Sequence, residues 1–213
     1  MVTCLSQVTL LLIMGLFSKL LSAVHSVAGV SLALCLCATV QADAGNFAQR
    51  AVAAGDTRGK SFAVIDKFAA TITLYNASGN LMAASPVLLG LAKGDITVPG
   101  IGDRPIRDIA PHERTTPAGR FESEPGKNLS GETVVWIDYD AAVSLHALRP
   151  SDPLENRAAR MSTASPLDNR ITYGCVNVPA EFFKQWVLPA FGKSAGVIYV
   201  LPEAKPAKRY FSF

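Results

Sequence analysis

Seven short runs rich in β-branched, aliphatic and aromatic residues constrain this chain most: SFAVID (61–66), TITLYN (71–76), LMAASPVLLG (81–90), GRFES (119–123), TVVWIDYD (133–140), AVSLHAL (142–148) and GVIYVLP (196–202). Turn residues such as Ser78-Gly79-Asn80 divide them, which is the pattern of strands joined by tight connections. Pro86 marks a bulge or an edge in the third run. One clear helical pattern is present, PAEFFKQWVLPAF (179–191), with Pro at a first helical position and apolar residues at helical spacing. A shorter helix is expected from Phe47 to Ala54, capped by Asn46 and ended by Gly55. Many strands, one or two short helices and long loops predict a mostly-β sandwich or barrel with mixed sheets.

Two loops stand out. Residues 93–116 run over twenty positions without periodicity, long enough to read as a surface excursion with a job. Residues 150–170 are polar and Arg-rich, with Arg157, Arg160 and Arg170, and are expected to form a short surface helix that serves as a lid or substrate wall. The tail from 203 to 213 is expected to be loose.

The first forty-two residues carry a single charge, Lys19, before an apolar run ending Val40-Gln41-Ala42. A basic residue, an apolar core and a small-x-small ending describe a secretory leader, the alternative being an uncleaved membrane anchor. The domain organisation expected is therefore a leader over 1–42, a linker with a short helix over 43–60, a catalytic domain over 61–202 and a tail over 203–213. Export places the protein in the periplasm or cell envelope, with membrane contact only through an uncleaved leader.

Export changes how the cysteines read. Cys4, Cys35 and Cys37 fall in the leader, so of 4 cysteines one remains, Cys175. A lone thiol in an oxidising compartment is an intermolecular bridge, a working nucleophile or an inert buried residue. Without Lys19, 19 basic residues face 17 acidic ones, and no basic run or stripe supports nucleic-acid binding. No metal site is expected, because the remaining histidines, His112 and His146, come with neither paired cysteines nor an HExxH pattern. A serine triad lacks its GxSxG elbow, and no phosphate-binding glycine motif implies a nucleotide. No cofactor is expected.

The segment Arg170-Ile-Thr-Tyr-Gly-Cys-Val-Asn-Val178 is chemically pointed. Gly174 allows backbone geometry that other residues resist, so the N–H groups of Tyr173, Gly174 and Cys175 can converge as an oxyanion hole. His146, on a strand-like run with Ser144 and Leu148 on its face, is the candidate base that draws the Cys175 proton toward a thiolate–imidazolium pair. His112 reads as a loop residue.

His146, TYGCVN (172–177) and TTPAGRF (115–121), in that arrangement, resemble the L,D-transpeptidase catalytic domain of the YkuD type. The resemblance covers about residues 61–202. It implies a β-sandwich core, no metal, and acyl transfer on peptidoglycan stem peptides at the L,D bond between residue three and D-Ala four. Cys175 would form the thioester and His146 would take its proton. A second stem's amine, the lysine of a wall-attached lipoprotein, a free D-amino acid or water would accept the acyl group. Candidate substrate contacts are Arg170, Thr172, Tyr173 and Asn177. Tyr173 stands where many members have His, Asn177 where many have Arg, and Ala147 where Gly is common. Besides transferase and hydrolase, a non-catalytic wall-binding module stays open.

Overall fold

The computed structural model describes residues 46–149 and 153–213, and the expected leader over 1–42 lies outside them. The run SFAVID becomes β1 (Phe62–Asp66), whose first four residues are all buried. A strand apolar on both faces must be covered on both, and β1 is. Ala63 and Ile65 face one core, while Phe62 and Val64 face another.

Around β1 lies a five-stranded sheet in the order β3-β2-β1-β11-β5. Its members are β2 (Thr71–Tyr75), the edge strand β3 (Leu81–Pro86), β5 (Gly119–Glu122) and β11 (Val197–Leu201). β1 runs parallel to β11 and antiparallel to β2. A second sheet has the order β10-β8-β7-β6, from β6 (Glu124–Lys127), β7 (Thr133–Asp138), β8 (Val143–Ala147) and β10 (Val176–Val178). β4 (Leu89–Gly90) and β9 (Arg170–Thr172) form a separate parallel pair. The architecture is mostly β with mixed sheets and a few short helices.

The main core fills the space between the two sheets. Ile65, Ile72, Leu74 and Ile198 from the first meet Val135, Val143, Leu145, Val176 and Val178 from the second. Since side chains alternate along a strand, Ser144, His146, Cys175 and Asn177 are left on the outer face of the second sheet. Helix α1 (residues 46–53) and the chain's end cover the outer face of the first, where Phe47, Ala48 and Ala51 pack with Tyr199 and Phe211.

Three expectations need revision. The tail is not loose: Phe211 is buried and meets Phe47 edge-on at 4.9 Å, and the backbone N–H groups of 203, 204 and 205 all donate to the Asp95 carboxylate. The run 81–90 is two strands, because after Pro86 the chain leaves the first sheet and pairs with β9. The helix at 180–191 starts after Pro179 and is widened to a π turn over Phe183–Val187, ahead of Leu188–Phe191. Pro189 accounts for this, since it has no N–H and its ring would clash with the carbonyl one turn back. Helix α2 (Arg157–Ser162) lies in the Arg-rich segment.

Candidate active site

The parallel register of β8 and β10 assembles the site. Asn177 lies opposite His146, and Val176 opposite Leu145. One step earlier, Cys175 falls beside Ser144, with Sγ 3.6 Å from Ser144 Oγ and 3.6 Å from the Ala142 carbonyl. Sulfur and imidazole thus share one face of one sheet, two residues apart along the strands, or about 6.6 Å at ~3.3 Å per residue. The thiol is unpaired in any disulfide and partly exposed, among polar neighbours. Among the described residues, no hydrogen bond joins Sγ to the ring.

The nucleophile's loop is fixed from two sides. Gly174 has φ +131°, and a Cβ there would meet the Thr115 carbonyl at 2.9 Å, so glycine is required by both conformation and space. Thr116 Oγ1 donates to the Gly174 carbonyl at 2.8 Å and accepts from the Gly90 N–H at 2.9 Å. Thr172 Oγ1 donates to the Cys175 carbonyl at 2.6 Å and accepts from the Gly174 N–H at 3.2 Å. Thr116 was visible in the sequence only as part of TTPAGRF. Its physical task is to tie the excursion of 93–116 to the loop that carries the thiol.

Of the three N–H groups expected in an oxyanion hole, Gly174's is engaged by Thr172. Those of Tyr173 and Cys175 have no acceptor among the described residues. The four expected substrate contacts separate. Thr172 is buried inside the loop as described. Tyr173 is partly exposed, its ring 3.9 Å beneath the Arg114 guanidinium. Arg170 is buried on the side of β9 away from solvent, where Nη2 meets Glu203 at 2.5 Å and the Lys67 carbonyl at 2.8 Å. Asn177 is also buried, with Nδ2 3.0 Å from His146 Nε2 and Oδ1 accepting from Arg157 Nη1 at 3.2 Å. Sequence reading placed Asn177 against substrate and missed its contact with the imidazole. The parallel pairing of VSLHA with VNV, two segments far apart in the chain, was the missing piece.

His146 is neutral in this setting. Burial pushes its pKa down to about 4, with the positive charges of Arg149 and Arg157 adding to that, against the Ala147 carbonyl and Glu132. Its Nδ1 lies 2.9 Å from the Ala147 carbonyl, which answers what orients the ring. A preformed thiolate–imidazolium pair, as the sequence suggested, does not fit a neutral ring whose two nitrogens are both hydrogen-bonded.

Beneath the loop sits a charged cluster. Lys67 Nζ is 2.9 Å from Asp95 Oδ1 and 3.7 Å from Glu203 Oε1, and it donates to the Thr116 carbonyl at 2.9 Å. Burial pushes the Lys67 pKa down against its acidic partners. Burial pushes Asp95 up, but the backbone N–H donors and Lys67 win and hold it below the ordinary carboxylate range. Among the described residues there is no group of three His, Cys, Asp or Glu arranged to hold a metal, and no helix long and apolar enough to cross a membrane.

No protein-family model and no curated protein matches the chain. Solved L,D-transpeptidase structures are among those it resembles. The catalytic domain of the E. faecium L,D-transpeptidase is 17% identical, matching 67% of this chain and 98% of that one, with a TM-score of 0.40. An L,D-transpeptidase from Mycobacterium smegmatis is 18% identical over 66% of this chain and 58% of that one, with a TM-score of 0.37. The helical cell shape determining protein Pgp2 from Campylobacter jejuni is 14% identical over 76% of this chain and 56% of that one, with a TM-score of 0.44. The chain spans little more than half the length of the last two. The chemistry rests on this chain's own residues.

Proposed function

We propose that this protein is an exported L,D-transpeptidase of the cell envelope, acting on peptidoglycan stem peptides through a Cys175 acyl-enzyme. The observation that supports this best is the presentation of a partly exposed thiol on a loop pinned by two buried threonines, one sheet pair away from an oriented imidazole. Sγ attacks the carbonyl carbon of stem residue three, and its proton passes to His146, with Ser144 Oγ on the way. The tetrahedral oxyanion is met by the free Tyr173 and Cys175 N–H groups. The C–N bond then breaks, His146 returns the proton to the departing D-Ala amine, and a thioester remains. An acceptor amine, from a second stem, a lipoprotein lysine or a free D-amino acid, attacks the thioester and restores the thiol. Water in the same place gives the hydrolase outcome.

The occupied nitrogens of His146 favour a second reading, a wall-binding module with no turnover. A carbapenem separates the two. The purified protein should gain the mass of one β-lactam, Cys175→Ala should gain none, and His146→Ala should acylate roughly a hundredfold more slowly. A folded protein that takes up no carbapenem yet binds sacculi would replace the enzyme reading with the module. Tetrapeptide muropeptides then distinguish cross-linked dimers from free tripeptides.

A further inference from the structure

The contacts around His146 form a chain whose direction is fixed at both ends. Arginine can only donate and a backbone carbonyl can only accept. The Asn177 atom facing Arg157 at 3.2 Å is therefore its oxygen, and the atom facing His146 at 3.0 Å is its NH₂. Nε2 must then be the acceptor, so the ring proton sits on Nδ1 and is donated to the Ala147 carbonyl at 2.9 Å. No other assignment satisfies all the links.

We propose that Arg157, working through Asn177, is a positioning residue that locks the amide with its NH₂ toward Nε2 and so holds His146 neutral in the resting site, the tautomer itself being set by the Ala147 carbonyl. The inference builds on the reading of His146 as the base, but it concerns the state of the ring rather than the reaction.

If Nε2 took up a proton, its new N–H would face the Asn177 NH₂. Turning the amide over would relieve that contact and place the NH₂ against the Arg157 guanidinium instead. One contact of the relay must break before the ring can accept the Cys175 proton. The surrounding positive charges act in the same sense, with Glu132 opposing them. Arg157 and Arg149 oppose an imidazolium, while their acids are already engaged, Glu155 with Arg157 at 2.6 Å and Glu132 with Arg149 at 2.7 Å. Ser144, on the same strand as His146, is neutral, and Cys175 lies across from it. Arg157 is supplied by α2, a segment outside the two sheets, so the resting state of the base is under the control of a surface helix.

The test is long-range ¹H–¹⁵N NMR of the His146 ring in the purified chain across pH, alongside the pH profile of carbapenem acylation. The parent should show the Nδ1–H tautomer alone and titrate near pH 4. Arg157→Met frees the Asn177 amide to turn its oxygen to a protonated Nε2, and should raise the midpoint by about one pH unit or more and displace the acylation profile with it. Arg157→Lys, which keeps a donor-only group, should retain the parent midpoint. Asn177→Asp, which puts an acceptor against Nε2, should raise the midpoint by about two units or more. Should Arg157→Met fail to fold, Arg157→Gln serves, since its amide can meet Asn177 either way and should again raise the midpoint. A ring that keeps the parent midpoint in folded Arg157→Met or Arg157→Gln overturns the proposal. The NMR needs no substrate, so a protein that resists acylation but shows a midpoint that depends on Arg157 sinks the enzyme reading and leaves this one standing.

Discussion

The cluster of Lys67, Asp95, Glu203 and Arg170 and the site around Cys175 are both polar islands in a β-rich molecule, and they are built differently. In the cluster each charge has an opposite charge and further hydrogen bonds. Asp95 alone accepts from Lys67 and three backbone N–H groups. At the site the imidazole is neutral, and among the described residues the thiol has only weak partners at 3.6 Å and two N–H groups have no acceptor. Full satisfaction makes the cluster a rigid post. Incomplete satisfaction leaves the site able to receive charge that a reaction would create. The two are joined by Thr116, whose carbonyl accepts from Lys67 and whose hydroxyl holds Gly174.

The largest expected effect tests the post. Asp95→Ala leaves three N–H groups without their acceptor and the buried Lys67 ammonium with only Glu203 at 3.7 Å to oppose its charge, and should cost about 3–5 kcal/mol in urea unfolding. Coupling it with Lys67→Met should recover only part of this, because the backbone donors stay orphaned. Full recovery would mean that charge pairing alone explains the cluster.

Next comes pH. Unfolded His146 takes up a proton near 6.5, whereas the native ring resists until about 4. The unfolded state therefore binds more protons between these values, so stability is full above pH 6.5 and falls as pH drops toward 4, by about 3 kcal/mol at most. His146→Gln should flatten that part of the stability profile. An unchanged slope would mean that the ring is not held neutral and that the two islands are less different than described.

Thr116→Val keeps the shape and removes both hydroxyl bonds. We expect a loss of about 1–3 kcal/mol and carbapenem acylation slower by about tenfold or more, through a displaced loop. A stability loss with unchanged acylation would separate post from site. The smallest effect should come from Arg114→Ala, about 0.5–1 kcal/mol for the guanidinium over Tyr173, read as a small drop in melting temperature.

Much of the fold was legible because strands buried on one or both faces carry their pattern openly, as in FAVI of β1 and VIYVL of β11. β6 was not, since EPGK holds Pro125 and Gly126. It is an edge strand, where proline is tolerated, and a Cβ on Gly126 would run into the Trp136 indole at 2.5 Å. β9 and β10 were hidden by their three-residue length. At the site, Cys175 stood out as the one cysteine after the expected leader, and His146 stood out from His112 by its strand-like setting. The partners did not. Thr116, Thr172 and Arg157 act through contacts between distant segments, and Asn177 could not be told from a substrate ligand until its register opposite His146 was known. The tail looked dispensable because Phe211 and Phe213 sit among polar residues, and their shared partner, Phe47, lies at the other end of the described chain.

That meeting of ends has a practical consequence. Phe47 and Phe213 pack together behind the five-stranded sheet, while the thiol opens from the far face of the other sheet, about two layer spacings or ~20 Å away. A bead, dye or affinity handle attached at Phe213 would hold the molecule by its back. Immobilised protein should then expose its thiol to a small thiol reagent as freely as dissolved protein does.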